Sequence, residues 1–183
     1  MKFCRKSGYA NRGMGLESDI NLTNEYYIKE KKAYIYKKPT LIKISKVDYN
    51  RSKIVEAFFD TQSTLDYNGI YKGKYIEFDA KETNNKTSFP LANIHNHQIE
   101  HIKNILSQSG VVFLIVRFNL IDKNYLLMGK DLIDFIESND RKSIPIDYFE
   151  DKAYNLEVKY IPRLDYLKIV DYILEGEGYE VKD

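Results

Sequence analysis

The segment 64–81, TLDYNGIYKGKYIEFDAK, holds the residues of this chain best suited to chemistry. Lys72-Gly73 reads as a two-residue turn, because Gly accepts the positive φ such turns need. With the turn there, the cross-strand partners are Tyr71 with Lys74, Ile70 with Tyr75, Asn68 with Glu77, Asp66 with Asp79 and Thr64 with Lys81. Side chains alternate between faces with a period of two. One face then carries Leu65, Tyr67, Tyr71, Ile76, Phe78 and Ala80, and the other carries Thr64, Asp66, Asn68, Glu77, Asp79 and Lys81. Two carboxylates placed opposite each other repel, by about 0.2–1 kcal/mol on the scale of cross-strand pairs. A divalent cation removes that penalty, and hard oxygen ligands suit Mg2+, which is typically held by carboxylates, waters and a phosphate. Lys81, on the same face as Asp79, could contact a scissile phosphate and stabilise charge developing in the transition state. The cation would lower the pKa of the attacking water. The same pattern also suits an ordinary hairpin with one wet face. A slip of one residue in register separates Asp66 from Asp79.

The elements that must position this hairpin are legible from periodicity. Residues 14–30 read as a helix, with Leu16, Ile20, Tyr26 and Tyr27 near one face and Glu17 in the first turn. Ala33–Tyr36 and Leu41–Val47 read as strands around the Lys38-Pro39 break. Residues 48–63 mix charge with Ile54, Val55, Phe58 and Phe59, which suits a protruding ribbon or a short helix. Asn84–Pro90 reads as a polar loop, and 93–108 as a helix by the spacing of Ile94, Ile99, Ile102, Ile105 and Leu106. Gly110–Phe118 is a near-continuous apolar run, the mark of a central strand buried on both faces. Tyr125–Met128 reads as its neighbour, 130–138 as a helix, Leu156–Tyr160 as a late strand and 164–174 as a helix ended by Gly176. This order predicts an α/β domain with a mixed central sheet flanked by helices.

Composition sets the outer bounds. The chain has 183 residues, 43% of them hydrophobic and 30% charged, which fits a globular domain and neither a disordered nor a membrane-embedded one. No apolar run approaches the roughly 18–20 residues of a membrane span, and no signal peptide is visible, so a cytoplasmic protein is expected. The single cysteine, Cys4, excludes an internal disulfide and any multi-cysteine zinc site. The near-neutral net charge of +1 hides an asymmetry: residues 1–50 hold 11 basic and 5 acidic side chains. A basic third of this kind is where a polyanion could dock, and it equally suits a solvated basic face. His95, His97 and His101 have one i, i+4 pair, yet no glutamate follows the first of that pair as in HExxH. Surface or substrate-facing histidines fit better than a zinc site.

Longer blocks carry a family resemblance. They are Asn11-Arg12-Gly13-Met14, Leu16-Glu17 with Asp19-Ile20-Asn21, Lys37-Lys38-Pro39-Thr40, Lys46-Val47-Asp48-Tyr49, Asp66-Tyr67-Asn68-Gly69 and the run 71–76. Ala80-Lys81-Glu82-Thr83, the runs 86–91 and 97–101, Arg141-Lys142-Ser143-Ile144-Pro145 and the run 162–167 follow in order. Together they resemble RecU-type Holliday junction resolvases of the PD-(D/E)xK nuclease superfamily.

The resemblance implies a restriction-endonuclease-like core, in which Asp66 is the first acidic metal ligand, Asp79 the second acidic position and Lys81 the lysine. It adds Thr64 and Gln98 to the Mg2+ site, with Mn2+ as a substitute cation, and Glu17 as an accessory carboxylate. Asp79 stands where the family usually has Glu. It further implies a nuclease domain over 13–175 with a stalk inserted at about 46–63, while the residues themselves read as a flexible arm over 1–12 and an acidic tail over 176–183. The implied partners are four-way junction DNA, a second copy of the chain in a homodimer, and a recombinase. Arg12, Lys37, Lys38, Lys53, Phe58 and Lys86 are the candidate DNA contacts, with Phe59 beside Phe58 on the stalk. A homodimer would present two equivalent sites to two strands of like polarity. The alternatives are a junction-binding or recombinase-modulating protein of the same fold that does not cut, and a restriction-type nuclease on linear duplex.

Overall fold

The computed structural model describes residues 15–39, 42–59 and 64–176. The expected N-terminal arm, with Arg12, and all of the acidic tail but Gly176 lie outside the described residues. The first helix, α1, spans Leu16–Lys29. Strand β1 (Tyr34–Lys37) follows, then a ribbon of β2 (Ile42–Asp48) and β3 (Lys53–Phe59), and then the hairpin of β4 (Tyr67–Tyr71) and β5 (Lys74–Thr83). A short β6 (Ser88–Pro90) leads to α2 (Asn96–Ser107), β7 (Val111–Phe118) and β8 (Lys123–Met128). The remainder is α3 (Gly129–Ser138), β9 (Ser143–Pro145), α4 (Ile146–Lys152), β10 (Tyr154–Asn155) and α5 (Tyr166–Gly176).

Six strands form one sheet in the order β1-β4-β5-β7-β8-β10. Only β5 and β7 run parallel, joined by the crossover that contains α2. The mixed sheet flanked by helices is the architecture expected. Every residue of β7 is buried, because both faces of the sheet are covered. Val111, Phe113 and Ile115 pack with Leu16, Ile20 and Tyr27 of α1 and with Leu167, Val170 and Leu174 of α5. Val112, Leu114 and Val116 pack on the other side with Ile102 and Ile105 of α2 and Leu132 of α3. The period-two alternation of one strand therefore feeds two cores. No helix among the described residues is long and apolar enough to cross a membrane.

The hairpin register is the one read from the turn. Tyr71 pairs with Lys74, Ile70 with Tyr75, Asn68 with Glu77 and Tyr67 with Phe78. Lys72 and Gly73 both have positive φ, 48° and 75°, as a two-residue hairpin turn requires. Gly69 is needed for a different reason: a Cβ there would lie 2.0 Å from the Tyr34 carbonyl oxygen, so its lack of a side chain lets β1 close on β4.

Two parts of the face assignment change. The polar face of β5 is not wet: Glu77 and Asp79 are each only 1% exposed. The parallel pairing with β7 makes β5 a central strand, and α2 covers that face. The ladder also ends at Tyr67–Phe78, and Leu65 packs in the α2-side core rather than beside Tyr67. Elsewhere, Leu156–Tyr160 is not a strand. Only Tyr154–Asn155 pairs with β8, after which Leu156 turns into the core and Val158 makes a single bridge to Leu164. The polar loop at 84–90 closes with a strand, because Phe89 is fully buried and β6 pairs with β9.

Between β1 and the hairpin, β2 and β3 pair as an antiparallel β-ribbon, with Phe58 opposite Lys43 and Lys53 opposite Asp48. Ile42, Ile44, Ile54, Val55 and Phe58 are all exposed on it. Over 48–59 the open choice between ribbon and helix is thereby decided in favour of the ribbon, and residues 60–63 lie outside the described residues.

Candidate active site

Asp79 is the centre of the candidate site. Its Oδ2 accepts hydrogen bonds from the Lys81 ammonium at 2.8 Å and from Gln98 Nε2 at 3.0 Å. Its Oδ1 lies 3.1 Å from the Ala80 amide nitrogen. Asp66, from the bend before β4, is in hydrogen-bonding contact with Asp79. Burial, then that hydrogen bond and the Asp79 charge, push the Asp66 carboxyl up to about 7, against the opposing pull of Lys81 and Lys37. The repulsion expected of facing carboxylates thus acts to raise the Asp66 carboxyl.

Gln98 is held by the helix it starts. It is the third residue of α2, and its side-chain carbonyl accepts the His95 amide at 3.2 Å in the manner of a capping box. That bond turns its amide group inward, where Nε2 donates to Asp79 and to the Thr64 main-chain carbonyl at 2.8 Å. Thr64 therefore contributes a carbonyl beside Asp79. Its hydroxyl points elsewhere, accepting from Lys38 Nζ at 2.8 Å and lying 3.4 Å from Glu77 Oε1.

Glu17 reaches the rim. Its carboxylate pairs with Lys37 Nζ at 2.5 Å and is half-exposed. Burial, and then the charges of Glu17, Asp66 and Asp79, push the Tyr67 phenol up. The α1 N-terminus is anchored nearby by Glu82 of β5, which accepts the Leu16 amide at 2.6 Å, as favoured for an anion at a helix start.

The structure brings Asp66, Asp79, Lys81, Gln98 and the Thr64 carbonyl together, with Glu17 and Lys37 at the edge. It does not place the remaining candidates at this point. Lys53 and Phe58 are on the exposed ribbon, and Lys86 is exposed in the loop before β6. Lys38, expected to contact DNA, turns inward instead, onto Glu77 and Thr64. No group of three or more His, Cys, Asp or Glu side chains suited to a metal occurs among the described residues; His101 lies on Glu77, and the His95 and His97 rings stack on each other.

Sequence reasoning missed the surroundings of Glu77. Tyr75 Oη donates to Glu77 Oε2 at 2.6 Å, and His101 Nε2 lies 2.9 Å from Oε1. Burial pushes the Glu77 carboxyl up, but hydrogen bonds from Lys38, Tyr75 and His101 outweigh it, so it stays below the usual glutamate value. The available signal was its position, on the face of Asp79 and Lys81 and two residues from Asp79. A second missed group is Asp19, buried in α1, whose carboxylate binds Arg117 at 2.7 Å and Arg163 at 2.9 Å on the opposite side of the sheet.

Comparison with known proteins identifies the family. The family model for Recombination protein U, RecU, matches residues 11–172. A protein of Lactococcus lactis subsp. cremoris named Holliday junction resolvase RecU is 48% identical over 171 residues, 91% of this chain and 80% of its own. A Pediococcus pentosaceus protein of the same name is 50% identical over 174 residues, covering 92% of this chain and 87% of its own. A third, from Staphylococcus aureus, is 50% identical over 176 residues, 93% of this chain and 85% of its own. Similarity of this extent, on a fold with a carboxylate pair and a lysine at its centre, leads to one conclusion: the chain belongs to the RecU family.

Proposed function

We propose that this chain is a Mg2+-dependent endonuclease that resolves four-way DNA junctions by paired symmetric nicks, working as a homodimer. One observation carries the chemistry: Asp79 is held by the Lys81 ammonium and Gln98 with Asp66 in contact with it, an arrangement that pushes the Asp66 carboxyl up. Such a site gains from a positive charge between the two carboxyls. The donors are hard oxygens, two carboxylates and the Thr64 carbonyl, which fit Mg2+ and also Mn2+. The substrate follows from the relatives, whose names specify Holliday junctions.

Asp66 and Asp79 would hold the cation, with the Thr64 carbonyl next to them. When bound, the cation supplies a Lewis acid that polarises the phosphate and acidifies attacking water. Lys81 is close enough to Asp79 to turn its ammonium towards a phosphate oxygen and hold the charge that develops there. Gln98 fixes Asp79 and the Thr64 carbonyl with one amide group, so these acceptors are set before substrate arrives. Lys53 and Phe58 on the ribbon, with Lys37 and Lys86, are the DNA contacts we propose. Lys38 is left out of that set, since its ammonium faces the interior.

The test is cleavage of a synthetic four-way junction against linear duplex of the same sequence, with Mg2+ and with EDTA. Paired symmetric nicks on the junction alone, and only with Mg2+, are expected. Tight junction binding without nicking would overturn the nuclease reading in favour of a binding protein, and equal cutting of linear duplex would overturn junction selectivity.

A further inference from the structure

Glu77 is almost fully buried, and none of the steps above uses it. Lys38 donates its ammonium to Glu77 Oε1 and to the Thr64 hydroxyl, while Tyr75 and His101 complete the carboxylate's partners. The positions of Lys38 and Thr64 in the chain make this cluster more than a satisfied buried charge. Lys38 directly follows β1, where the chain leaves the sheet for the ribbon, and Thr64 lies between the ribbon and β4. The two ends of the ribbon are thus clamped together on one carboxylate of β5.

The clamp continues into the candidate site. The Lys38 backbone N–H donates to the Asp66 carbonyl at 2.7 Å. The Thr64 carbonyl accepts from Gln98, whose amide also donates to Asp79. Both ends of the short segment 64–66 are therefore fixed, one by the Lys38 main chain and the other by the Lys38 side chain and Gln98. That segment carries Asp66, and it is not held by the β-ladder, which ends at Tyr67–Phe78. We propose that Lys38 and Glu77 are positioning residues, which clamp the neck of the ribbon and so set Asp66 against Asp79 for cation binding, a role that rests on the metal-dependent nuclease reading above.

The competing role for Lys38 is a phosphate contact, and the two roles separate cleanly. In the full-length chain, Lys38→Met and the double variant Lys38→Met/Glu77→Gln are compared with wild type in three measurements. These are calorimetric binding of Mn2+ alone, junction binding in EDTA across a salt series, and cleavage of the junction. Lys38→Met is expected to weaken Mn2+ binding by about ten-fold or more, the usual cost of losing a group that orients metal ligands, and to slow cleavage. Junction affinity and its salt slope should stay at the wild-type values. The double variant removes both buried charges, so its melting temperature should recover while its Mn2+ affinity does not.

A fall in junction affinity with a salt slope shallower by about one phosphate contact would make Lys38 a DNA ligand and overturn the positioning role. Recovery of Mn2+ affinity in the double variant would reduce the pair to charge compensation and overturn it as well. A wild-type chain that binds no Mn2+ and cuts nothing would sink the nuclease reading, and the positioning role with it. A wild type that binds and cuts, beside a Lys38→Met chain that matches it, would sink the positioning role alone.

Discussion

Replacing Asp66 with Asn should abolish cleavage and yet stabilise the metal-free protein above neutral pH. The Asp66 carboxyl is raised from 3.8 to about 7 by burial and by Asp79. A folded-state pKa above the unfolded one means that the fold holds this proton more tightly than the unfolded chain does. The corresponding stability is fully present below about pH 4 and is lost as pH rises through about 7. Taken at face value, the interval from 3.8 to about 7 corresponds to about 4 kcal/mol. Asp66 is only half-buried, so solvent screening leaves about 1–2 kcal/mol of that. An amide at the same position has no proton to lose. Urea unfolding in EDTA, run on both proteins from pH 4 to pH 8 (the chosen range), isolates the term, because groups that titrate independently of Asp66 cancel in the difference. Wild type should lose about 1–2 kcal/mol more than Asp66→Asn across that range. Added Mg2+ should then raise the wild-type midpoint by mass action and leave that of Asp66→Asn nearly unmoved. Parallel pH profiles, or a wild type that is the more stable of the two at pH 8 in EDTA, would refute the opposed-carboxylate account.

Lys81→Met should abolish nicking while leaving junction affinity in EDTA largely intact and the circular dichroism spectrum unchanged, since the ammonium's partner in the fold is Asp79 alone among the ion pairs described. Asp19→Ala should cost about 3–5 kcal/mol in urea unfolding, because it strips the carboxylate from the largely buried Arg117 and Arg163 guanidinium groups. Gly69→Ala should destabilise by about 3 kcal/mol or more, read as a lowered thermal midpoint, because the added methyl meets the Tyr34 carbonyl and Ile35 backbone of β1.

The parts of the fold that sequence reveals are those where one local rule decides the outcome. The Lys72-Gly73 turn fixes the hairpin register, and every pair from Tyr67–Phe78 to Tyr71–Lys74 follows from it. The unbroken apolar run of β7 announces burial on two faces. What stays hidden depends on partners distant in the chain. β6 and β9 are three residues each and exist because they pair with one another across more than fifty residues of sequence. Glu77 looks like a solvated strand residue until β7 pairs alongside β5 and α2 lies over its face. Lys38 reads as a surface cation in a basic segment, since nothing in its neighbourhood names a buried acceptor. Asp66, Asp79, Lys81 and Gln98 lie close together in space, and Thr64 turns its carbonyl to Gln98 and its hydroxyl to Lys38, a division that its position in the chain does not reveal.

The break in alternation at Leu65 explains why the site can form on a central strand at all. A ladder carried on to Asp66–Asp79 would set two carboxylates on a rigid, closely paired backbone, with their spacing fixed by the pleat. Here the ladder stops at Tyr67–Phe78, and Leu65 packs into the α2-side core as an apolar anchor. Asp79 cannot adjust, since Lys81, Gln98 and its own strand hold it. Closing the gap therefore falls to Asp66, and the bend from Thr64 to Asp66 is where the backbone has the freedom to do so. That freedom would be a liability without restraint, because a loosely held ligand binds a cation weakly. Leu65 restrains the bend through the core, Gln98 through the Thr64 carbonyl, and Lys38 through the Asp66 carbonyl and Glu77. A Leu65→Ala chain should accordingly lose Mn2+ affinity along with stability, whereas an equally buried truncation remote from the bend, such as Leu132→Ala, should lose stability alone. Equal loss of Mn2+ affinity in both would show that the site follows global stability and not the anchoring of this bend.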